Sequence, residues 1–571
     1  MIIGRGAISH IRYMGDDEAA PDIKKKLDAV AENEDEFAPW EALVTTVESL
    51  EGGLTRNSSP SAIELVRNVY DCLLAKFCLF FGYWKKYADL EFSIGGTETA
   101  EMVYERGVSC IPNSVDLWAN YCAFKVDTCH DPDVIRELFE RGAKSVGLDY
   151  MSHPFWDKYI EFEERVDGKE NITKILERVI HIPTYQYSRY FERFRNWGTS
   201  RPIEELVDAE LLGAFRAAVH NENLGQPRSE LEVDRQLRLK IDAYHTEIFH
   251  RTQTETTKRW SYEQGIKRAY FHVTELDEEQ IVNWRKYLDF EETEGDYTRT
   301  AFLYERCLVA CALYEEFWLR YARWLLGQGK EEDARIIYMK ASTIFVPISR
   351  PTIRLHWARC EEKLGRVDVA RAIHEAILDV IPNHEETMIS YAGIERRHKD
   401  LDAAITLLEN YIRSDQVDIY AKGKLAAEQA RLLWQCKGSP EEARKHFQNT
   451  SRSYLDVKAF WIKYLQFEIA LPAGEETEAD SHARIKAVHD RMRMEARLPP
   501  QTMKDLSHYY MEYLLDRGGK EAASEYMELD KEVNGYVSST PISPLPPSSL
   551  PFLPAREEHS YHTDKSRKHL S

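Results

Sequence analysis

Aromatic and apolar side chains recur along this chain at helical spacing, and they recur as one repeated phrase. Trp84, Tyr87 and Leu90 are followed by Glu91; behind them come Ala100, Val103, Tyr104, Glu105, Arg106 and Gly107, then Pro112. Positions three, six and seven residues apart fall on one face of a helix, so the phrase predicts two short helices with facing apolar stripes. Pro112 and Pro183 mark helix ends. Trp284, Tyr287, Phe290 and Glu291 repeat the first half, and Tyr304, Glu305 and Arg306 repeat the second.

Further copies sit at Trp118 and Tyr121, at Trp156, Tyr159 and Glu163, at Trp318, Tyr321 and Arg335, and at Trp461, Tyr464 and Glu468. Trp84 to Trp118 and Trp284 to Trp318 are each 34 residues. Weaker copies begin near Trp40, Tyr187, Tyr420 and Leu506. A period of this length over roughly a dozen units predicts an all-α superhelical solenoid of helix–turn–helix repeats in two lobes. One unit cannot fold alone. Burying a large apolar side chain contributes about 1.5–3 kcal/mol, whereas ordering each backbone residue costs about 1–2 kcal/mol, so units must stack on neighbours.

Three charged pairs are suggested by position: Glu91 with Arg106, Glu163 with Arg178, and Glu291 with Arg306. As exposed pairs they contribute about 0–1 kcal/mol each, and their recurrence is expected to fix register. Three places depart from the pattern, and irregular packing is expected there: Lys125 in the Glu slot, Arg354 in the Trp slot, and 308–313, where proline is missing.

Outside the repeats the chain changes character. Residues 1–36 are acidic and are expected to be poorly ordered; 37–197 carry the N-terminal repeats. The repeat lapses over 198–274, where Leu237, Ile241, Tyr244 and Ile248 predict a long charged bridging helix. Residues 275–530 carry the C-terminal repeats. The last segment, 531–571, is Pro/Ser-rich and is expected to be a disordered tail.

The formal net charge of −21 argues against a protein built chiefly to grip phosphates. Local basic runs exist at Lys258, Arg259, Lys267 and Arg268, and around Arg491 and Arg493. Solvated helix faces account for them, and contact with RNA or an acidic partner is the alternative. Nine cysteines without CxxC spacing, and no apolar run of membrane-spanning length, predict reduced thiols in a soluble intracellular protein. The stripes at this spacing predict core, not base stacking.

Catalytic chemistry finds no support. Gly4-Arg-Gly6 lacks the third glycine of a phosphate loop, and His374-Glu375 lacks the second histidine of a zinc-protease helix. Cys129-His130 stands in a predicted inter-helix loop, and Asp131 and Asp133 are expected to cap the helix that follows. No catalytic residue, cofactor or metal is expected.

The Trp-x-x-Tyr-x-x-Leu-Glu and Tyr-Glu-Arg signatures resemble the half-a-tetratricopeptide (HAT) repeat family, whose members work in RNA processing. Residues 82–91, 258–268 and 283–291 resemble its splicing branch. That resemblance implies a nuclear, non-enzymatic scaffold in pre-mRNA splicing, holding proteins of the U1 small nuclear ribonucleoprotein during 5′ splice-site recognition. It also implies a homodimer or heterodimer through the C-terminal repeats, near Trp461–Tyr513, with RNA contact secondary. HAT scaffolds of 3′-end cleavage, spliceosome core assembly or ribosome biogenesis are the alternatives, as is direct RNA binding.

Overall fold

A computed structural model describes residue 11 and residues 20–222, 229–471 and 478–535. Half of the N-terminal segment 1–36 and most of the Pro/Ser-rich tail lie outside the described residues. Within them the chain is all-α: 26 α-helices, and no strand among the described residues. Successive helices pair antiparallel, as with Phe81–Ile94 and Thr97–Cys110, or Glu385–His398 and Leu401–Arg413. The fold is a helical repeat solenoid.

Each predicted stripe is core. Trp84, Trp156, Trp284, Trp318 and Trp461 are among the largest fully buried side chains. The tryptophan also has a polar task, because a buried indole N–H needs an acceptor. Trp84 Nε1 donates to the Cys78 carbonyl at 2.8 Å, Trp118 to Pro112 at 2.8 Å and Trp318 to Ala312 at 2.7 Å. Each thereby ties a helix to the turn before it.

That task explains two of the expected irregularities away. Arg354, in the Trp slot, donates Nη1 to Pro347 O at 3.0 Å and Nη2 to Val346 O at 2.7 Å. It supplies the same donors to the same turn. Ala312 O, in the turn without proline, accepts from Trp318 as Pro112 O does from Trp118. Between these units, residues Ala341–Phe345 form a π-helical turn whose Phe345 ring stacks on Trp318 at 5.1 Å.

Close helix approach also needs small residues. At Gly142 an added Cβ would stand 2.6 Å from the Phe155 ring and 3.1 Å from Trp118, so only glycine lets these helices meet.

Two expectations about domain organisation need correction. The stretch before Phe37, expected to be irregular, carries the helix Ala20–Glu32; Ile23, Leu27 and Val30 recur on one face and are buried. The chain divides into two compact units, Met1–Ile381 and Pro382–Ser571, so the boundary falls inside the expected 275–530 lobe and not at 198–274. The reason is polar as well as apolar. Phe271 packs edge-on to Phe80 at 5.1 Å, and Arg306 is buried against residues on both sides of the expected bridge.

The helix Glu230–Gly265 runs through the first unit. Its buried stripe starts apolar, with Leu237, Ile241 and Ile248, and turns polar at Thr252, Thr256, Arg259 and Glu263. Thr252 Oγ1 donates to Ile180 O at 2.8 Å. The second unit has its own core, where Phe447 lies parallel to Tyr464 at 4.6 Å beside Trp461 and Tyr510.

Candidate partner-binding surfaces

The repeated charges are spent inside the fold, with a register different from the expected one. Glu91 pairs with Arg67 at 2.7 Å, Glu163 with Arg136 at 2.8 Å, and Glu291 with Arg259 at 2.6 Å. Glu361 pairs with Arg335 at 2.6 Å and Glu468 with Arg444 at 2.8 Å. In each the closest partner is the arginine upstream; Glu361 and Glu468 also have a downstream arginine further off, Arg366 at 3.6 Å and Arg484 at 3.8 Å. The five carboxylates are buried, Glu163 and Glu361 completely, so these are not the exposed pairs anticipated. Arg259 and Glu291 are both buried, and removing one of the two costs about 3–5 kcal/mol; the other four arginines are partly exposed, so breaking those pairs costs less.

The downstream arginines belong to a second ladder. Arg106, Arg141, Arg178 and Arg306 sit over the rings of Trp84, Trp118, Trp156 and Trp284 at 5.3–6.0 Å. They pair with Asp71, Glu105, Glu140 and Glu263 respectively. The same four carboxylates accept the hydroxyls of Tyr87, Tyr121, Tyr159 and Tyr287. The aromatic residue just before each acid stacks on that tyrosine, as Tyr104 does on Tyr121 at 5.0 Å and 6°. The Tyr-Glu-Arg phrase is one inter-unit clamp. Asp71, Glu140 and Glu263 escaped the sequence reading; the aromatic–acid dipeptide at 70–71, 139–140 and 262–263 is the signal that marks them.

One rung is special. Arg306 is buried and donates to both Glu263 oxygens, at 2.6 and 2.8 Å, with Nε 3.1 Å from Asp149. Burial drives the Asp149 carboxyl above its ordinary range, and the guanidinium opposes this.

What remains exposed is the surface available to partners. One groove of about 320 Å³ lies at the start of the helix Phe81–Ile94, between Tyr83 and Lys86 on one side and Tyr270 on the other. A second, larger and open, of about 610 Å³, runs between the helices Glu278–Glu294 and Glu315–Gly327. Its walls are bridged by the Arg285–Glu316 and Arg320–Asp289 pairs. In the second unit Met494, Leu515 and Met527 are exposed apolar side chains.

The family model for the PRP39 N-terminal HAT repeat matches residues 24–196, and that for the PRP39 C-terminal HAT repeat matches 257–397. The chain is 47% identical over 524 residues to pre-mRNA-processing factor 39 of Schizosaccharomyces pombe, covering 89% of this chain and 86% of that one. The chain belongs to the pre-mRNA-processing factor 39 family. The human member is 29% identical over 90% of this chain and 77% of its own. The U1 small nuclear ribonucleoprotein component PRP42 of Saccharomyces cerevisiae is 22% identical over 305 residues, 52% of this chain and 55% of that one. The solved structure of CSTF-77 matches with a TM-score of 0.52 over 82% of this chain and 92% of its own, at 14% identity, a likeness of fold alone.

Family membership leaves the basic residues to be placed. Arg259 is core, held by Glu291 and Glu255. Lys258 pairs with Glu255 and Glu294, each at 3.0 Å, and Arg493 with Glu532 at 2.7 Å. Arg268 donates to Thr274 Oγ1 and O, and Lys267 lies 3.7 Å from Glu279. Arg491 is half-buried. The structure gathers these residues into no basic face.

Of the other motifs singled out, Asp131 caps Pro132–Val146 by accepting from Asp133 N, and Cys129 Sγ points to Asp131 O. His374 is buried with Nδ1 2.7 Å from Ala370 O. Among the described residues no cluster of three His, Cys, Asp or Glu is placed to hold a metal ion, and no helix is long and apolar enough to cross a membrane.

Proposed function

We propose that the protein is a non-enzymatic scaffold of pre-mRNA splicing in the nucleus, working within or beside the U1 particle during 5′ splice-site recognition. The observation that carries this is the pair of family-model matches together with the similarity to a protein named as a U1 ribonucleoprotein component. The interior supports it: the repeated charges of the phrase hold units to one another and leave grooves and exposed apolar side chains as the working surface. Stacked helix pairs of this kind suit the capture of a partner's helix or extended peptide. The neutralised basic residues make RNA contact secondary.

A dimer through the second unit is part of the proposal. Trp461, Tyr464 and Glu468 are core, so the association would rest on surface residues such as Leu515 and Met527. Light scattering on the double variant Leu515→Glu, Met527→Glu should read a monomer; an unchanged dimer would remove this placement.

The functional test is gentle purification of the tagged protein from nuclear extract, followed by sequencing of the RNA that accompanies it. Enrichment of U1 RNA, lost once U1 proteins are stripped away, is the expected result. Enrichment of a different RNA would reassign the scaffold to another particle.

A further inference from the structure

The groove between Tyr83 and Tyr270 has a chemistry that selects its occupant. Its floor is Phe271, only 5% exposed, packed edge-on against Phe80, which in turn meets Tyr83 at 5.8 Å. Tyr270 is 51% exposed at the rim. About 320 Å³ between these rings is within the range of ligand-sized clefts.

Its polar side chains are the Tyr83 and Tyr270 hydroxyls, each able to donate and to accept, the Lys86 ammonium, which only donates, and the His272 imidazole. Neither the Tyr83 nor the Tyr270 hydroxyl makes a hydrogen bond within the described residues. Lys86 enters no ion pair there; its ammonium sits over the Tyr83 ring at 5.4 Å. Gly82 N, in the first turn of its helix, has no backbone partner, and this helix start lacks a capping side chain. No carboxylate lines the groove.

We propose that this groove binds an extended, proline-rich segment of a partner protein that carries an acidic residue next to its prolines. Proline rings in the polyproline II conformation fit between aromatic rings. Each proline presents a carbonyl acceptor, which the Tyr83 and Tyr270 hydroxyls and the Lys86 ammonium can meet as donors. Lys86, unpaired at one end, supplies the charge that the acidic residue meets. The inference stands on the groove alone and does not depend on which particle the chain serves.

The test uses the full chain and fluorescence anisotropy with a labelled decapeptide of prolines and leucines ending in two aspartates. Saturable binding is expected, at least tenfold weaker when alanines replace the prolines. Tyr270→Ala, a rim substitution whose helicity is checked by circular dichroism, should weaken binding at least tenfold. Lys86→Glu should lose the aspartate-ended peptide and gain one ending in lysines. Equal binding of the alanine peptide, absence of saturation, or indifference to both substitutions would overturn the proposal. So would tighter binding of a peptide of residues 538–554, which would assign the groove to this chain's own tail. Self-association abolished by Tyr270→Ala would assign it to a second copy and equally overturn the proposal.

Discussion

Lys125 and Glu101 form an ion pair at 2.6 Å in which the charges are exchanged relative to the sister units. Elsewhere a buried Glu meets an upstream arginine, as Glu91 meets Arg67 across 24 residues; Lys125 meets Glu101 across the same 24. The slot therefore demands opposite charge, not a particular residue, and the unit packs as its neighbours do.

Reversing one member should expose that demand. Lys125→Glu would set two carboxylates together in a half-buried site, and Glu101→Arg would oppose two cations. Each single variant should be less stable, and the double variant should recover most of the loss. A double-mutant cycle by urea unfolding should give a coupling of about 1–3 kcal/mol. Additive effects would show that the pair contributes no coupling.

Arg306→Leu should be among the most damaging single changes. It leaves Asp149 and Glu263 buried without their cation, a loss of about 3–5 kcal/mol. Hydrogen exchange should rise in the turn at 147–152 and in the helix Glu230–Gly265 together. Exchange confined to the helix that carries residue 306 would show that the cluster does not tie these elements.

Trp84→Phe and Trp284→Phe should differ. Both indoles are buried and lose similar volume, but Trp84 gives up its bond to Cys78 O, whereas Trp284 Nε1 has no acceptor. The Trp84 change should cost about 1 kcal/mol more, read as a lower denaturation midpoint.

Stability should fall on mild acidification. Burial lowers both His245, packed on Phe194, and His489, stacked on Tyr510, from 6.5 to about 4. Below pH 6.5 the unfolded chain takes up protons that the folded chain refuses, so the stability they contribute is lost progressively down to about pH 4. Each site is worth on the order of 3 kcal/mol at most. His489→Gln should flatten the decline between pH 6.5 and 5 in the second unit, followed by hydrogen exchange. An unchanged slope would place the acid sensitivity elsewhere.

The sequence by itself determined the repeat, its helices and its core. Trp84, Tyr87, Trp284 and Trp461 announce a buried face because period and side-chain type are local properties. The pairing of charges was not local. Glu91 and Arg106 lie close in the chain, yet Glu91 turns to Arg67, because the direction of a side chain depends on which neighbouring helix covers it. Arg354 and Lys125 look like defects in one dimension; in three they meet the same carbonyls and the same need for opposite charge as the residues they replace. The continuity of the first unit across 198–274 and the groove at Tyr83 likewise rest on contacts between distant segments, Arg306 with Asp149 and Phe80 with Phe271. Periodicity records which faces must be buried, and only packing decides what each of them meets.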